Sequence, residues 1–214
     1  MGLKRYNQLF ILLLFVFCIL KIEAQNKNKY AAFIGIGNTG FSNGFLKGTL
    51  SAQKLNKSLS ISHFGALVEI PIKDKILFRP KIMLSFQGDK DKTENNSIHP
   101  FVLGEEIDYK LTYINIPLNF KFFSKPYIIF GPQIGILTST KKENFDLGDI
   151  KSNFDYGLNL GFGYDFNKFF IEINLYQGMQ HLIEYDFQTV SAGNSFDATN
   201  TVFQMSLGYY FDFK

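Results

Sequence analysis

FDYGLNLGFGYDF, residues 154–166, decides the fold. Phe154, Tyr156, Leu158, Leu160, Phe162, Tyr164 and Phe166 alternate without a break with Asp155, Gly157, Asn159, Gly161, Gly163 and Asp165. A period of two sends successive side chains to opposite faces of a strand. One face here is large and greasy, the other small or polar. The end of the chain repeats the pattern, with Phe203, Met205, Leu207, Tyr209, Phe211 and Phe213 opposing Gln204, Ser206, Gly208, Tyr210 and Asp212. Phe169, Ile171, Ile173 and Leu175 likewise oppose Phe170, Glu172, Asn174 and Tyr176. Ile76, Phe78, Pro80, Ile82, Leu84 and Phe86 oppose Leu77, Arg79, Lys81, Met83, Ser85 and Gln87. Around Ile128, Phe130, Ile134 and Ile136 the opposing positions are Tyr127, Ile129, Gly131, Gln133 and Gly135.

Working outward, the alternation predicts eight strands at 29–37, 59–70, 76–87, 107–120, 127–138, 153–166, 169–181 and 199–213. The first has no decisive polar face. The fourth changes apolar phase near Tyr113 and Ile114, as a bulge would cause. Pro80 and Pro132 fall inside strands, where each removes a ladder donor, and read as bulge or edge-of-register points. The connections 71–75, 121–126 and 167–168 are short, whereas 38–58, 88–106, 139–152 and 182–198 are long and polar. An even strand count with alternating short and long connections puts every long loop at one end.

The chain has 214 residues, 46% hydrophobic, 17% aromatic and only 19% charged, with 18 Gly and no Trp. Aromatic content at this level favours strands over helices and excludes a disordered chain. A net charge of +3 without a dense Lys/Arg stripe argues against a nucleic-acid partner. A soluble β-sandwich and a transmembrane barrel compete for the alternating pattern. A sandwich hides its apolar face and uses shorter strands. A barrel in lipid inverts the rule, with grease outside and a polar lumen, and its closure satisfies every backbone group. The aromatics favour the barrel. Phe120, Phe122, Phe123, Tyr127, Phe166, Phe169, Phe211 and Phe213 fall beside the short turns or the C-terminus. Phe86, Tyr109, Phe154, Tyr185 and Phe203 fall nearer the long loops. Two belts match two membrane interfaces. The predicted fold is therefore all-β: an eight-stranded antiparallel transmembrane β-barrel with up-and-down meander order.

Residues 1–24 read as a cleaved signal peptide. Lys4 and Arg5 precede the apolar run Leu9–Leu20, which is too short to span a bilayer, and Ala24 offers a small residue at the cut. Cys18 is a poor lipidation site, because Phe17 precedes it and Ile19 and Leu20 follow. Cleavage leaves residues 25–214 as the barrel domain, with no cysteine and hence no disulfide or thiol chemistry.

YINIP at 113–117, Pro126 followed by YIIFGP at 127–132, and FDYG at 154–157 with GFGY at 161–164 resemble the PorT-like outer-membrane β-barrel proteins of Bacteroidetes-type bacteria. The resemblance covers nearly the whole mature chain. It implies an eight-stranded barrel in the outer membrane of a Gram-negative cell, with both termini in the periplasm. One founding member is tied to a system that exports proteases and gliding adhesins. The resemblance therefore implies partners among envelope or secretion proteins, beside outer-membrane lipid and lipopolysaccharide. It supplies no catalytic motif, and no residue role carries over.

The residues themselves offer few rival chemistries. Gly35-Ile36-Gly37-Asn38-Thr39-Gly40 spells a dinucleotide fingerprint, but a loop follows where that fold needs a helix. His99 shares a loop with Asp89, Asp91, Glu94, Glu105 and Glu106, a carboxylate-rich stretch without the fixed spacing of a calcium site. His181, Glu184 and Ser191 would be the set for a lipid-modifying enzyme at the rim. The inward charges carry more information. Arg79, Lys81, Glu172, Asp155 and Asp165, with Glu69, lie on polar faces and should line the lumen. Buried charges are costly unless paired. An eight-stranded interior is just wide enough for side chains to fill. The expectation is a luminal charge network that plugs the barrel, with Arg79, Lys81 and Glu172 meeting across it. No catalytic residue, metal or cofactor is expected. The sequence thus points to a non-enzymatic, membrane-anchored binding or assembly component, with a lipid-modifying enzyme or a narrow gated channel as alternatives.

Overall fold

A computed structural model of the chain describes residues 28–43, 59–92, 106–143, 150–186 and 195–211. Its strands are β1 (Lys29–Asn43), β2 (Leu59–Lys73), β3 (Ile76–Lys92), β4 (Glu106–Phe122), β5 (Tyr127–Glu143), β6 (Phe154–Phe166), β7 (Phe169–Gly178), β8 (Ile183–Asp186) and β9 (Ser195–Phe211). Neighbours pair antiparallel in chain order, β7 pairs with β9, and β9 returns to β1 to close the sheet. β7 and β8 both pair with β9 and form two segments of one stave. Between Gln177 and Ile183 the partner moves only from Thr201 to Ala198, so the chain bulges there and turns Leu182 fully inward. The barrel accordingly has eight staves in meander order, as the alternation predicts. Residues 1–24, the predicted signal peptide, lie outside the described residues.

Glu69 pairs with Lys29, so Ile70 is level with the residue before it. Ladder partners lead from Ile70 through Phe78, Phe120, Phe130, Leu160, Leu175 and Phe203 to Asn38. The strands are thus staggered by about ten residues over eight staves, and stagger with strand number sets tilt and radius.

The two faces divide as the sequence predicts. Ile34, Ile82, Leu160 and Phe162 are among the outward residues, each more than half exposed at 65%, 56%, 53% and 54%. A continuous apolar wall of this kind is unworkable in water and is what hydrocarbon requires. Phe120, Phe123, Phe166, Phe169 and Phe211 are exposed at the short-turn end, where Phe166 stacks on Phe169 at 6.0 Å and Phe169 meets Tyr209 edge-on at 5.1 Å. Phe86, Phe154 and Phe203 are exposed toward the long loops. Tyr127 corrects the predicted belt: it is the first residue of β5, its phase is inward, and it is fully buried. Phe213 and the side chains of Tyr109 and Tyr185 lie outside the described residues.

Three further expectations change. β4 keeps one phase throughout, since Leu111, Tyr113, Asn115 and Asn119 are all buried. The apparent phase switch arises because Leu111 and Tyr113 are large luminal residues, and the extra residue at that level is Thr138 on β5. Pro80 and Pro132 cause no register shift, because the ladders continue in step on both sides of each. Most strands run further toward the long loops than predicted, β3 to Lys92 and β5 to Glu143. About 9–11 residues suffice to cross a bilayer, so these ends stand above it. The first strand's ambiguity also resolves: Ala31, Phe33 and Thr39 are buried inward, and Tyr30, Ile34 and Ile36 face out.

Face dictates the cost of a substitution on β6. Leu160→Arg puts a cation in lipid and is expected to cost about 2–4 kcal/mol. Asn159→Ala removes one luminal hydrogen bond, to Gln133, and should cost about 1 kcal/mol. Urea unfolding midpoints of the two folded variants measure the difference.

Candidate functional site

Several of the large side chains that fill the lumen lean over a glycine on the neighbouring strand. Tyr127 stands opposite Gly163, Phe170 opposite Gly208, His63 opposite Gly35 and Ile129 opposite Gly161. A β-carbon on any of these glycines would collide with the partner side chain. At these four rungs one strand gives up its volume to the next.

A charge network occupies the half of the lumen nearer the short turns. Glu172 on β7 and Arg79 on β3 are fully buried and meet across the barrel, Arg79 Nη1 donating to Glu172 Oε2. Lys81 donates to the other oxygen, Glu172 Oε1. The same carboxylate accepts from Asn174 Nδ2 at 2.8 Å and from the Tyr127 hydroxyl at 3.2 Å. Arg79 Nε also lies 3.3 Å from Glu69 Oε1. Lys121 joins Glu69, at 2.8 Å, to Asp165, at 2.5 Å. The Tyr210 hydroxyl donates to Glu69 at 2.8 Å and lies 3.2 Å from Asp165. Arg79, Lys81 and Lys121 thus balance Glu69, Asp165 and Glu172. Aromatic faces line the cations: Tyr127 and Phe170 lie 5.1 Å and 4.6 Å from the guanidinium, Tyr127 lies 4.1 Å from the Lys121 ammonium, and Phe33 lies 5.5 Å from that of Lys81.

Of the residues proposed from sequence, the structure brings together Arg79, Lys81, Glu172 and Asp165. Asp155 it places elsewhere. Asp155 and Asp165 share the inner face of β6 but stand at its opposite ends. Asp155 accepts from Asn200 Nδ2 at 3.1 Å, and among the described residues no cation pairs with it. The network further includes Lys121, Tyr127 and Tyr210, beyond the residues expected from the sequence. Lys121 falls in the segment expected to be a short turn, but β4 runs on to Phe122, which puts Lys121 on the inner face.

The remaining motifs divide in the same way. His63 lies in the lumen, its Nε2 at 2.7 Å from the Ser206 hydroxyl. Gly35–Gly40 sits within β1, paired with β9 throughout and with β2 as far as Thr39. His181 is exposed, whereas Ser191, His99, Glu94 and Glu105 lie outside the described residues, as do the side chains of Glu184, Asp89, Asp91 and Glu106. Among the described residues no group of His, Cys, Asp and Glu is arranged to hold a metal ion. Chemically, the network closes the lumen: Arg79, Glu172, Tyr127, Ile129, Phe170 and Asn119 are each 0% exposed.

An apolar outer wall, a closed barrel and a charge-paired interior network together describe a membrane barrel. Residues 23–184 match the family described as outer membrane protein beta-barrel domain. The chain belongs to that family. Membership places the barrel in the outer membrane. Among solved structures, the chain is similar to Ail, the attachment invasion locus protein of Yersinia pestis, in complex with the heparin analogue sucrose octasulfate. Identity is 16% and the TM-score 0.42, over 87% of this chain and 100% of that one. It is similar to AlkL in DMPC lipid bilayers at 12% identity and a TM-score of 0.41, over 88% and 92% of the two chains. The N-terminal β-barrel domain of Pseudomonas aeruginosa OprF gives 10% identity and a TM-score of 0.35, over 86% and 100%. No curated protein matches the sequence significantly.

Glu172 tests the network. Glu172→Gln leaves Arg79 and Lys81 short of an anion and should cost about 3–5 kcal/mol. Neutralising Arg79, Lys81 and Glu172 together should cost less, because the orphaned charges go with their partner. Unfolding midpoints in urea rank the two variants, and a harmless single change with a worse triple would contradict the coupling.

Proposed function

We propose that this chain is a non-enzymatic outer-membrane anchor, related to the PorT-like barrels of Bacteroidetes-type bacteria, that binds a partner of the cell envelope. A role in assembling protein-secretion machinery is the sharpest form of the reading. The observation that carries it is the occluded mid-lumen. A conduit needs a continuous wet path, whereas this interior commits its width to buried ion pairs and aromatic rings. What remains for function are the two ends, the long loops and the short turns. Outer-membrane barrels put short turns in the periplasm and longer loops outside. On that rule both termini are periplasmic after signal cleavage, and the long loops lie among lipopolysaccharide.

The test has two parts. Purified barrel in planar bilayers should give no stepped conductance, and incubation with phospholipid should give neither hydrolysis nor acyl transfer. Cross-linking in intact outer membranes followed by purification should then retain a specific envelope protein. Stepped currents would support the channel alternative, and lipid turnover the enzyme.

A further inference from the structure

The short-turn end opens into a cavity of about 410 Å³ on the barrel axis. Each connection at this end supplies a lysine to it. Lys75 comes from the β2–β3 turn, Lys125 from the β4–β5 turn and Lys168 from the β6–β7 turn, while Lys29 comes from the start of β1. Among the described rim residues Asp74 is the one acid. The floor is formed by Lys121, Glu69 and Asp165, which already pair with one another. Among the described residues no carboxylate pairs with Lys75 or Lys125. The mouth is therefore a ring of cations above a floor whose two acids are already engaged, by Lys121 and, for Glu69, by Arg79 below.

The turns are tied in place. The Phe123 amide donates to the Lys75 carbonyl at 2.9 Å, joining the second turn to the first. The Tyr210 amide donates to the Lys168 carbonyl at 2.7 Å, joining the third turn to β9. Phe123 is held at a φ of 69°, a left-handed conformation unfavourable for a bulky residue, and its side chain is 56% exposed at the mouth. Strain retained in the turn that bonds the Lys125 segment to the Lys75 segment marks a pre-organised surface.

We propose that this mouth is the receptor for a short, extended, acidic peptide segment of a partner protein on the same side of the membrane. The proposal deepens the anchor reading and rests on it. Charge complementarity selects an anion. The size of the cavity admits a few side chains and no folded domain. Leu77 and Phe123 line it beside the lysines, which suits a peptide bearing apolar residues between its carboxylates. Bilayer headgroups are the competing anions, but the barrel wall and its aromatic belt separate them from the axis.

The experiment uses protein extracted from outer membranes, kept folded in zwitterionic detergent and checked by its gel shift on boiling. Fluorescein-labelled hexaglutamate is titrated by anisotropy. Saturable binding is expected, weakening with added salt. Lys75→Glu with Lys125→Glu should raise Kd about tenfold or more. Lys141→Glu with Lys142→Glu, at the opposite end, should leave it unchanged. If the first pair folds poorly, Lys75→Gln with Lys125→Gln takes its place, with a smaller rise expected. Equal Kd values for the two pairs would overturn the proposal. So would equal displacement by inorganic phosphate or by phosphatidylglycerol vesicles, which would mark a general anion or lipid surface. A barrel that is silent in bilayers yet binds no peptide overturns this proposal alone. A conducting barrel overturns the anchor reading and leaves the titration interpretable.

Discussion

Glu172 carries the constraint on which the rest depends. Its carboxylate is fully buried, bonded by two cations that come from across the barrel, and supported by Asn174 and Tyr127. An acid so placed is tolerated only because every oxygen is matched, and the cations are tolerated only because of the acid. The match in turn demands a wall of fixed radius. A barrel a strand wider would separate β3 from β7 and leave both sides unpaired. The stagger, the closure through β1 and β9, and the luminal chemistry are therefore one solution rather than three. The lipid outside imposes the complementary demand, since an open sheet edge has no place in hydrocarbon.

The interior also explains the chain's unusual composition. Its aromatic residues serve two purposes on two sides of the same wall. Outside, Phe and Tyr meet lipid and its interfaces. Inside, Phe170, Tyr127 and Phe33 fill the lumen and present ring faces to Arg79, Lys121 and Lys81. The low charged fraction is partitioned as well: the mid-lumen holds a balanced set, and the excess positive charge at the short turns gathers at one mouth.

Much of the fold was legible in the sequence because lipid outside and polarity inside make the period-two signal unusually clean, as on β6. Legibility failed where a side chain broke the equation of inward with polar. Leu111 and Tyr113 are large and inward, so a uniform strand looked bulged. Tyr127 is aromatic and near a turn, so it looked like a belt residue while in fact supporting Glu172. In the site, strand phase was enough to put Arg79, Lys81 and Glu172 on the inner face. Phase says nothing of height along the axis, however, and so does not separate Asp155 from the residues at the far end. Lys121 was obscured by its closeness to a turn. The break after Gly178 left no local signal at all, since it is set by the register against β9.

The glycine pairing in the lumen has a consequence for how this protein can change over generations. At Gly163 with Tyr127, and at Gly208 with Phe170, the sum of two side chains on adjacent strands is held near a constant. Neither member can drift alone: enlarging the glycine meets a ring, and shrinking the ring opens a void beside a buried ion pair. Descendants of this chain should therefore show the bulky residue and the glycine trading places across a ladder rung, or persisting together, while lipid-facing neighbours such as Leu160 and Phe162 vary freely among apolar types. The inner wall evolves by rungs and the outer wall by single residues.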